Sequence, residues 1–177
     1  YSDNFPGFPT LVVEPGEKSK TLESAAGLYR QMADLGVDRS WFLAGIGGGV
    51  VTDLSGFLAS TYMRGLRFGF VATSLLAQVD ASTGGKTGLN LDGYKNMIGT
   101  ISQPTFVLCD PSMLKTLPAE EWENGWAEII KHGCIADEDY LGFLENRREE
   151  LRTRDPLLLE KLIAGSIRIK SEVVNQD

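Results

Sequence analysis

With 42% of its 177 residues hydrophobic and 23% charged, the chain has the balance of a globular protein long enough to bury a core. Its 24 acidic and 17 basic residues leave a formal charge of −7, which argues against a nucleic-acid surface, because polynucleotide binding needs a net basic face. A small anionic substrate, held by a few local lysines in a cleft, stays compatible with that charge.

The apolar run of roughly 18 residues that a membrane span requires is missing, so no membrane association is expected. Cys109 and Cys134 both lie in apolar runs, TFVLCD and HGCIA, and read as buried, reduced thiols of a cytoplasmic protein. The opening YSDNFPGFP is polar and turn-rich, without signal-peptide character, and reads as the interior of a longer protein.

Taken in order, TLVV at residues 10–13 predicts a short strand running into the turn at Pro15 and Gly16. Leu22, Ala25, Ala26, Tyr29, Met32 and Ala33 recur at helical spacing, and Gly36 is placed to end that helix. SWFLAGI at 40–46 reads as a buried strand, residues 47–49 as a tight loop, and residues 50–63 as a second helix. Further strands are expected at 68–72 and 105–109. Strand, helix, strand, helix, strand implies an α/β fold: a Rossmann-like parallel sheet with helices on its faces. Residues 80–104 are rich in Gly, Ser, Thr and Asn and read as irregular, and so long a stretch is usually functional. Beyond Pro118 helices are expected at 119–135, 139–152 and 157–175, the last opened by Asp155 as N-cap and Pro156 at the first helical position. The expected organisation is an α/β nucleotide-binding domain over residues 1–116 and the beginning of an all-helical domain over 117–177.

Two glycine-rich loops fail the familiar fingerprints. GIGGGV at 45–50 lacks the third glycine of the dinucleotide-binding pattern. GGKT at 84–87 ends like a P-loop, but the required first glycine falls on Asp80, whose carboxylate would repel phosphates. The glycines before Asp53 still allow close approach of a ligand to a helix N-terminus, which suits a pyrophosphate; alternatively they make a tight turn with Asp53 as a first-turn acid. Arg64 and Lys95, taken alone, read as solvated surface cations rather than ligand contacts. Lys170 interrupts an apolar stripe of Ile163, Ile167 and Val174, where it either snorkels or meets an anion. Glu128 and Lys131 have the spacing of a surface ion pair. His132, the only histidine, follows Glu128 by four residues, a spacing that permits two metal ligands on one helical face.

The order GIGGGVVTDLSGF, ASTYMRG, ATSLLAQVDASTGGKTGLN, GYKNMIGTISQP, LKTLPAEEW, GWAEIIKHG, IKSEVV resembles the 3-dehydroquinate synthases from about Glu14 to the last residue. That resemblance implies an NAD- and metal-dependent lyase of the shikimate pathway, which forms 3-dehydroquinate and phosphate from 3-deoxy-arabino-heptulosonate 7-phosphate. It implies NAD contacts at Glu17, Lys20, Gly49, Val50, Val51, Thr52, Asp53, Thr73, Ser74, Lys86, Lys95, Met113, Leu114, Lys115, Thr116 and Glu121. Ser74 stands where the family more often has Thr and retains a hydroxyl. Arg64, Asp80, Lys86, Asn96, Lys131 and Lys170 are expected to meet the phosphorylated sugar-acid substrate, and Glu128 to bind zinc or cobalt. The histidine ligands are expected after Asp177, so the resemblance does not assign His132 to the metal. A homodimer is implied, with Arg64 reaching the partner's site. The alternatives are a related sugar-phosphate cyclase and a metal-dependent glycerol-phosphate or alcohol dehydrogenase.

Overall fold

The computed structural model describes residues 5–176. Strands β1 (Phe42–Gly47), β2 (Arg67–Ala72) and β5 (Val107–Cys109) form a parallel sheet in the order β1-β2-β5. Helix α1 (Leu22–Asp34) precedes β1, capped by Thr21 Oγ1, which accepts from Ser24 N at 3.1 Å, and ended by Gly36 at φ +68°. Helix α2 (Gly49–Thr61) makes the crossover from β1 to β2. The expected α/β class and the parallel order are both observed, as βα periodicity demands.

Several expectations are corrected. Residues 10–13 form no strand: no neighbouring strand pairs with them among the described residues, and Leu11 and Val13 instead pack half-buried on α1 and α2. The second helix stops at Thr61, and a 3₁₀ turn, Tyr62–Arg64, follows. The segment 80–104 is not irregular throughout. It contains a hairpin of β3 (Leu89–Leu91) and β4 (Tyr94–Ile98), closed by Asp92 and Gly93 with φ of +49° and +85°, the two positive values of a primed two-residue turn. The helix expected at 139–152 is two, α4 (Glu138–Asn146) and α5 (Arg148–Arg152), broken at Arg147. Cys134 is exposed rather than buried; only Cys109 is partly covered, and burial pushes its thiol up to about 11.

Helices α3 (Ala119–Ala136) and α6 (Pro156–Val174) complete the chain, the latter capped by Asp155 Oδ1 on Leu158 N at 3.0 Å. Burial falls into three clusters. Two lie between α1, α2 and the sheet, around Leu54, Phe57 and Met32. The third fills the helical layer with Trp122, Ile129, Tyr140 and Leu162, and takes in Leu75 and Val79 from the segment after β2. No helix of the described residues is long and apolar enough to cross a membrane. Leu162 is 0% exposed and Leu157, on the same helix, 71%. Leu162→Ala is therefore expected to cost about 2–5 kcal/mol in urea unfolding, and Leu157→Ala at most about 0.5 kcal/mol; equal losses would mean that the helical layer does not pack this way.

Candidate active site

The functional side chains gather where the parallel strands end. After β1 the chain turns at Gly48 into α2, pressed against the segment that follows β2: a Cβ on Gly48 would stand 3.1 Å from Ser74 Oγ. Thr73 N donates to Gly47 O at 2.9 Å and fixes that approach. Ser74 is buried, and its Oγ accepts from Ala77 N at 3.2 Å, starting a short π-helical turn, Ala77–Ala81, which presents Asp80. Gln78, 0% exposed, holds the turn in place by donating through Nε2 to Ala72 O at 3.0 Å and Asp110 O at 2.9 Å.

Asp80 is the centre of one polar group. Lys170 Nζ, from α6, donates to Asp80 Oδ1 at 2.6 Å. From α3, His132 Nε2 lies 3.7 Å from the same oxygen, too far for a hydrogen bond, while His132 Nδ1 lies 2.6 Å from Ser166 Oγ. Burial, more than any charge, pushes the His132 pKa down, partly offset by Asp80. Glu128 stands beside them, paired with Lys131. The ligand atoms of Asp80, Glu128 and His132 all lie within 4.8 Å of one another, and the buried Glu128 Oε2 is met by the Lys131 ammonium. Two carboxylates and an imidazole gathered so closely fit a divalent cation such as zinc or cobalt held by Glu128.

Lys20 organises the second group. It is 4% exposed, and its Nζ donates to Asp53 Oδ2 at 2.6 Å and Asn96 Oδ1 at 2.7 Å. Burial pushes the Asp53 carboxyl up, and Lys20 draws it back. Asn96 has φ +53° in a strand with a register irregularity, and its N donates to Asn90 Oδ1 at 2.9 Å. The bulge turns the Asn96 amide towards Lys20. Gly88 makes room for it, since a Cβ there would meet Asn96 Oδ1 at 2.8 Å. Asp53, Lys86, Thr87, Gly88, Asn96 and Thr100 line a cleft of about 410 Å³, with the Lys86 side chain exposed at its mouth. Asn90 Nδ2 ties Glu17 to the hairpin at 2.9 Å.

The remaining sequence-predicted residues are less convergent. Val50, Val51 and Thr52 form the first turn of α2, with Thr52 buried. Met113, Leu114, Lys115 and Thr116 belong to the 3₁₀ helix Pro111–Thr116, where Leu114 is in the core. Glu121 is exposed on the first turn of α3, and Lys95 exposed on β4. Arg64 follows the far end of α2; thirteen residues at a rise of about 1.5 Å put it roughly 20 Å from the glycine loop. What the sequence reading missed is the environment of His132, and its only signal was the helical phase that places Ser166 of α6 opposite it.

A Rossmann-like sheet, a glycine turn into a helix and an acid–lysine recess under a helical layer define an α/β protein with a Rossmann-like domain. Family models for the 3-dehydroquinate synthase N-terminal and C-terminal regions match residues 10–124 and 125–177: the chain belongs to the 3-dehydroquinate synthase family. It is 44% identical over 166 residues to the 3-dehydroquinate synthase of Ruminiclostridium cellulolyticum, covering 94% of this chain and 46% of that protein. The chain thus spans about half the length of the curated relatives it matches. Among solved structures, 2-epi-5-epi-valiolone synthase from Streptomyces hygroscopicus subsp. jinggangensis, with NAD+ and Zn2+ bound, is 31% identical with a TM-score of 0.88, over 93% of this chain and 47% of that one. A 2-deoxy-scyllo-inosose synthase with carbaglucose-6-phosphate, NAD+ and Co2+ is 29% identical with a TM-score of 0.82, over 91% and 45%.

Removing Lys20 leaves Asp53 buried without its cation. Lys20→Met is expected to cost about 3 kcal/mol at pH 7.5. Asp53 then rises further in pKa, so the loss is full where the carboxylate is charged and shrinks as the pH falls and it protonates. Urea unfolding of both proteins at pH 7.5 and pH 5 checks this; a pH-independent difference refutes the pairing.

Proposed function

We propose that the chain is part of a 3-dehydroquinate synthase that converts 3-deoxy-arabino-heptulosonate 7-phosphate to 3-dehydroquinate and phosphate as a cytoplasmic homodimer. In this reading, residues 1–116 are the NAD-binding domain and residues 117–177 open the metal and substrate domain. The observation that carries it is the Lys170–Asp80 hydrogen bond at 2.6 Å beside Glu128, which sets a carboxylate-seeking cation and a hydroxyl acceptor at the mouth of the glycine turn. Bound NAD supplies a reversible hydride acceptor, and zinc or cobalt supplies Lewis-acid polarisation of a substrate oxygen.

The protein's own part is placement. The first turn of α2, Gly49, Val50 and Val51, faces the dinucleotide phosphates with the free N–H groups of Gly49 and Val50, while Val51 N closes the turn on Gly48 O at 3.0 Å. Glu17, Lys20, Asp53, Thr73, Ser74 and Lys95 surround its sugars, and Met113, Leu114, Lys115, Thr116 and Glu121 the rest of it. Lys86, Asn96, Lys131 and Arg64 hold the substrate phosphate with charged and amide donors. Asp80 accepts from a substrate hydroxyl, and Lys170 meets the substrate carboxylate. Glu128 holds the metal together with ligands from the remainder of the full-length protein. A second reading, a related sugar-phosphate cyclase, is favoured by the likeness to valiolone synthase.

Purified full-length protein is expected to release phosphate from the heptulosonate phosphate with NAD regenerated, and Glu128→Gln to lose both turnover and stoichiometric metal by elemental analysis. Turnover of another phosphorylated sugar alone selects the second reading. Accumulating NADH overturns both. Mixed dimers of Arg64→Ala and Glu128→Gln subunits are expected to regain activity if Arg64 serves the partner's site; proven heterodimers without recovery would place Arg64 in its own subunit's site.

A further inference from the structure

His132 is 2% exposed between α3 and α6, and none of the roles above uses it. Which of its nitrogens carries the proton follows from Ser166. A serine inside a helix ordinarily gives its hydroxyl proton to the carbonyl four residues back, here Leu162. That carbonyl already accepts the Ser166 amide N–H, as α-helical geometry requires within α6, and the Tyr140 hydroxyl at 2.6 Å. Its two lone pairs are filled. The Ser166 hydroxyl is left with Tyr140 Oη and His132 Nδ1 as acceptors, and because the Asp80 carboxylate faces Nε2 the ring proton belongs there, so Nδ1, 2.6 Å away, takes the Ser166 proton. A neutral imidazole whose Nδ1 accepts carries its proton on Nε2. Buried Nε2 has no hydrogen-bond partner and faces Asp80 Oδ1 at 3.7 Å. It is thus a donor short of its acceptor rather than a lone pair open to a metal.

We propose that His132 is a positioning residue for Asp80: Ser166 fixes its tautomer, and its Nε2–H takes over the Asp80 carboxylate when Lys170 releases it. Lys170 Nζ holds Asp80 Oδ1 at 2.6 Å in this structure. This step rests on the proposed reading in which Lys170 turns to the substrate carboxylate. Asp80 would then be a partly buried anion stripped of its donor, a costly state. A small rotation of the carboxylate brings His132 within hydrogen-bond distance, so the anion stays oriented towards the substrate hydroxyl. Asp80 is thereby passed from one donor to another rather than left without any.

The experiment is histidine ring 15N spectroscopy of the full-length protein, with the His132 signals identified by their loss in His132→Gln. Expected are a protonated Nε2 and an accepting Nδ1, a mixed tautomer in Ser166→Ala, a shifted Nε2 signal in Asp80→Asn, and no change at Nε2 on adding zinc sulfate. An Nδ1–H tautomer in the unmodified protein overturns the proposal, as does loss of the Nε2 proton on zinc addition, which would make His132 a ligand. In turnover, His132→Gln, which keeps a side-chain N–H donor, is expected to retain most of kcat. His132→Phe is expected to lose at least tenfold in kcat, with metal content and KM for NAD unchanged. Equal losses in both variants overturn the positioning role. Absence of turnover by the unmodified protein would sink the proposed reaction instead, while the ring spectra still decide how His132 is held.

Discussion

The arrangement depends on one buried amide. Gln78 Nε2 binds the carbonyls of Ala72 and Asp110, the residues that end β2 and follow β5, so the turn bearing Asp80 is fastened across the mouth of the sheet. On either side of Gln78 in sequence, Leu75 and Val79 enter the core of the helical layer. One short segment is therefore held by hydrogen bonds to the sheet and by apolar burial to the helices. Asp80 can meet Lys170 of α6 because both anchors act on the same turn. A π-helical turn suits this task, since its wider ring re-aims a side chain without lengthening the chain.

The acids of the site are compensated by lysines that the proposed chemistry needs for ligands. Lys20 holds Asp53 and Lys170 holds Asp80, each pair partly or fully out of water. Burial pushes the Asp53 carboxyl up and Lys20 draws it back, and a close ammonium offsets part of the cost of burying such an acid. A ligand that recruits one lysine exchanges one charge-assisted bond for another. The gain in affinity then comes from what the ligand adds beyond that exchange, while the acid left behind needs a substitute donor. Asn96, in the second coordination of Lys20, and His132, facing Asp80, stand where such substitutes are useful.

The alternation of strands and helices was legible because period and punctuation agreed: Thr21, Gly36, Asp155 and Pro156 mark the ends of α1 and the start of α6 as local chemistry predicts. The strand expected at residues 10–13 was not, because a strand is a pairing and only the apolar pattern is local. The hairpin was hidden differently. Asp92-Gly93 is a strong turn signal, but it sits among so many glycines and asparagines that the flanking LNL and YKNMI do not stand out as strands. The acid–lysine recess follows from the family resemblance, whereas Ser166 opposite His132 is a tertiary contact across thirty-four positions that no spacing within α3 reveals.

Arg64 lies outside both polar groups, yet its backbone is unusual. Met63 and Arg64 have φ of +48° and +67°, and non-glycine residues in the left-handed region each cost of order 1–2 kcal/mol. Gly65 follows at φ +122°, a conformation that glycine alone takes readily. The turn is held by Gly65 N on Tyr62 O at 2.9 Å, by Leu66 N on Ala59 O at 2.7 Å, and by the Tyr62 hydroxyl on Val37 O at 3.3 Å. Such bonds would equally tolerate a relaxed turn that points the arginine elsewhere. Strain kept in an exposed turn is a property of what the turn presents, and this one presents a guanidinium and the half-exposed Met63. A solvated arginine needs no strained backbone to reach water, so the strain gives this guanidinium a fixed direction rather than mere exposure.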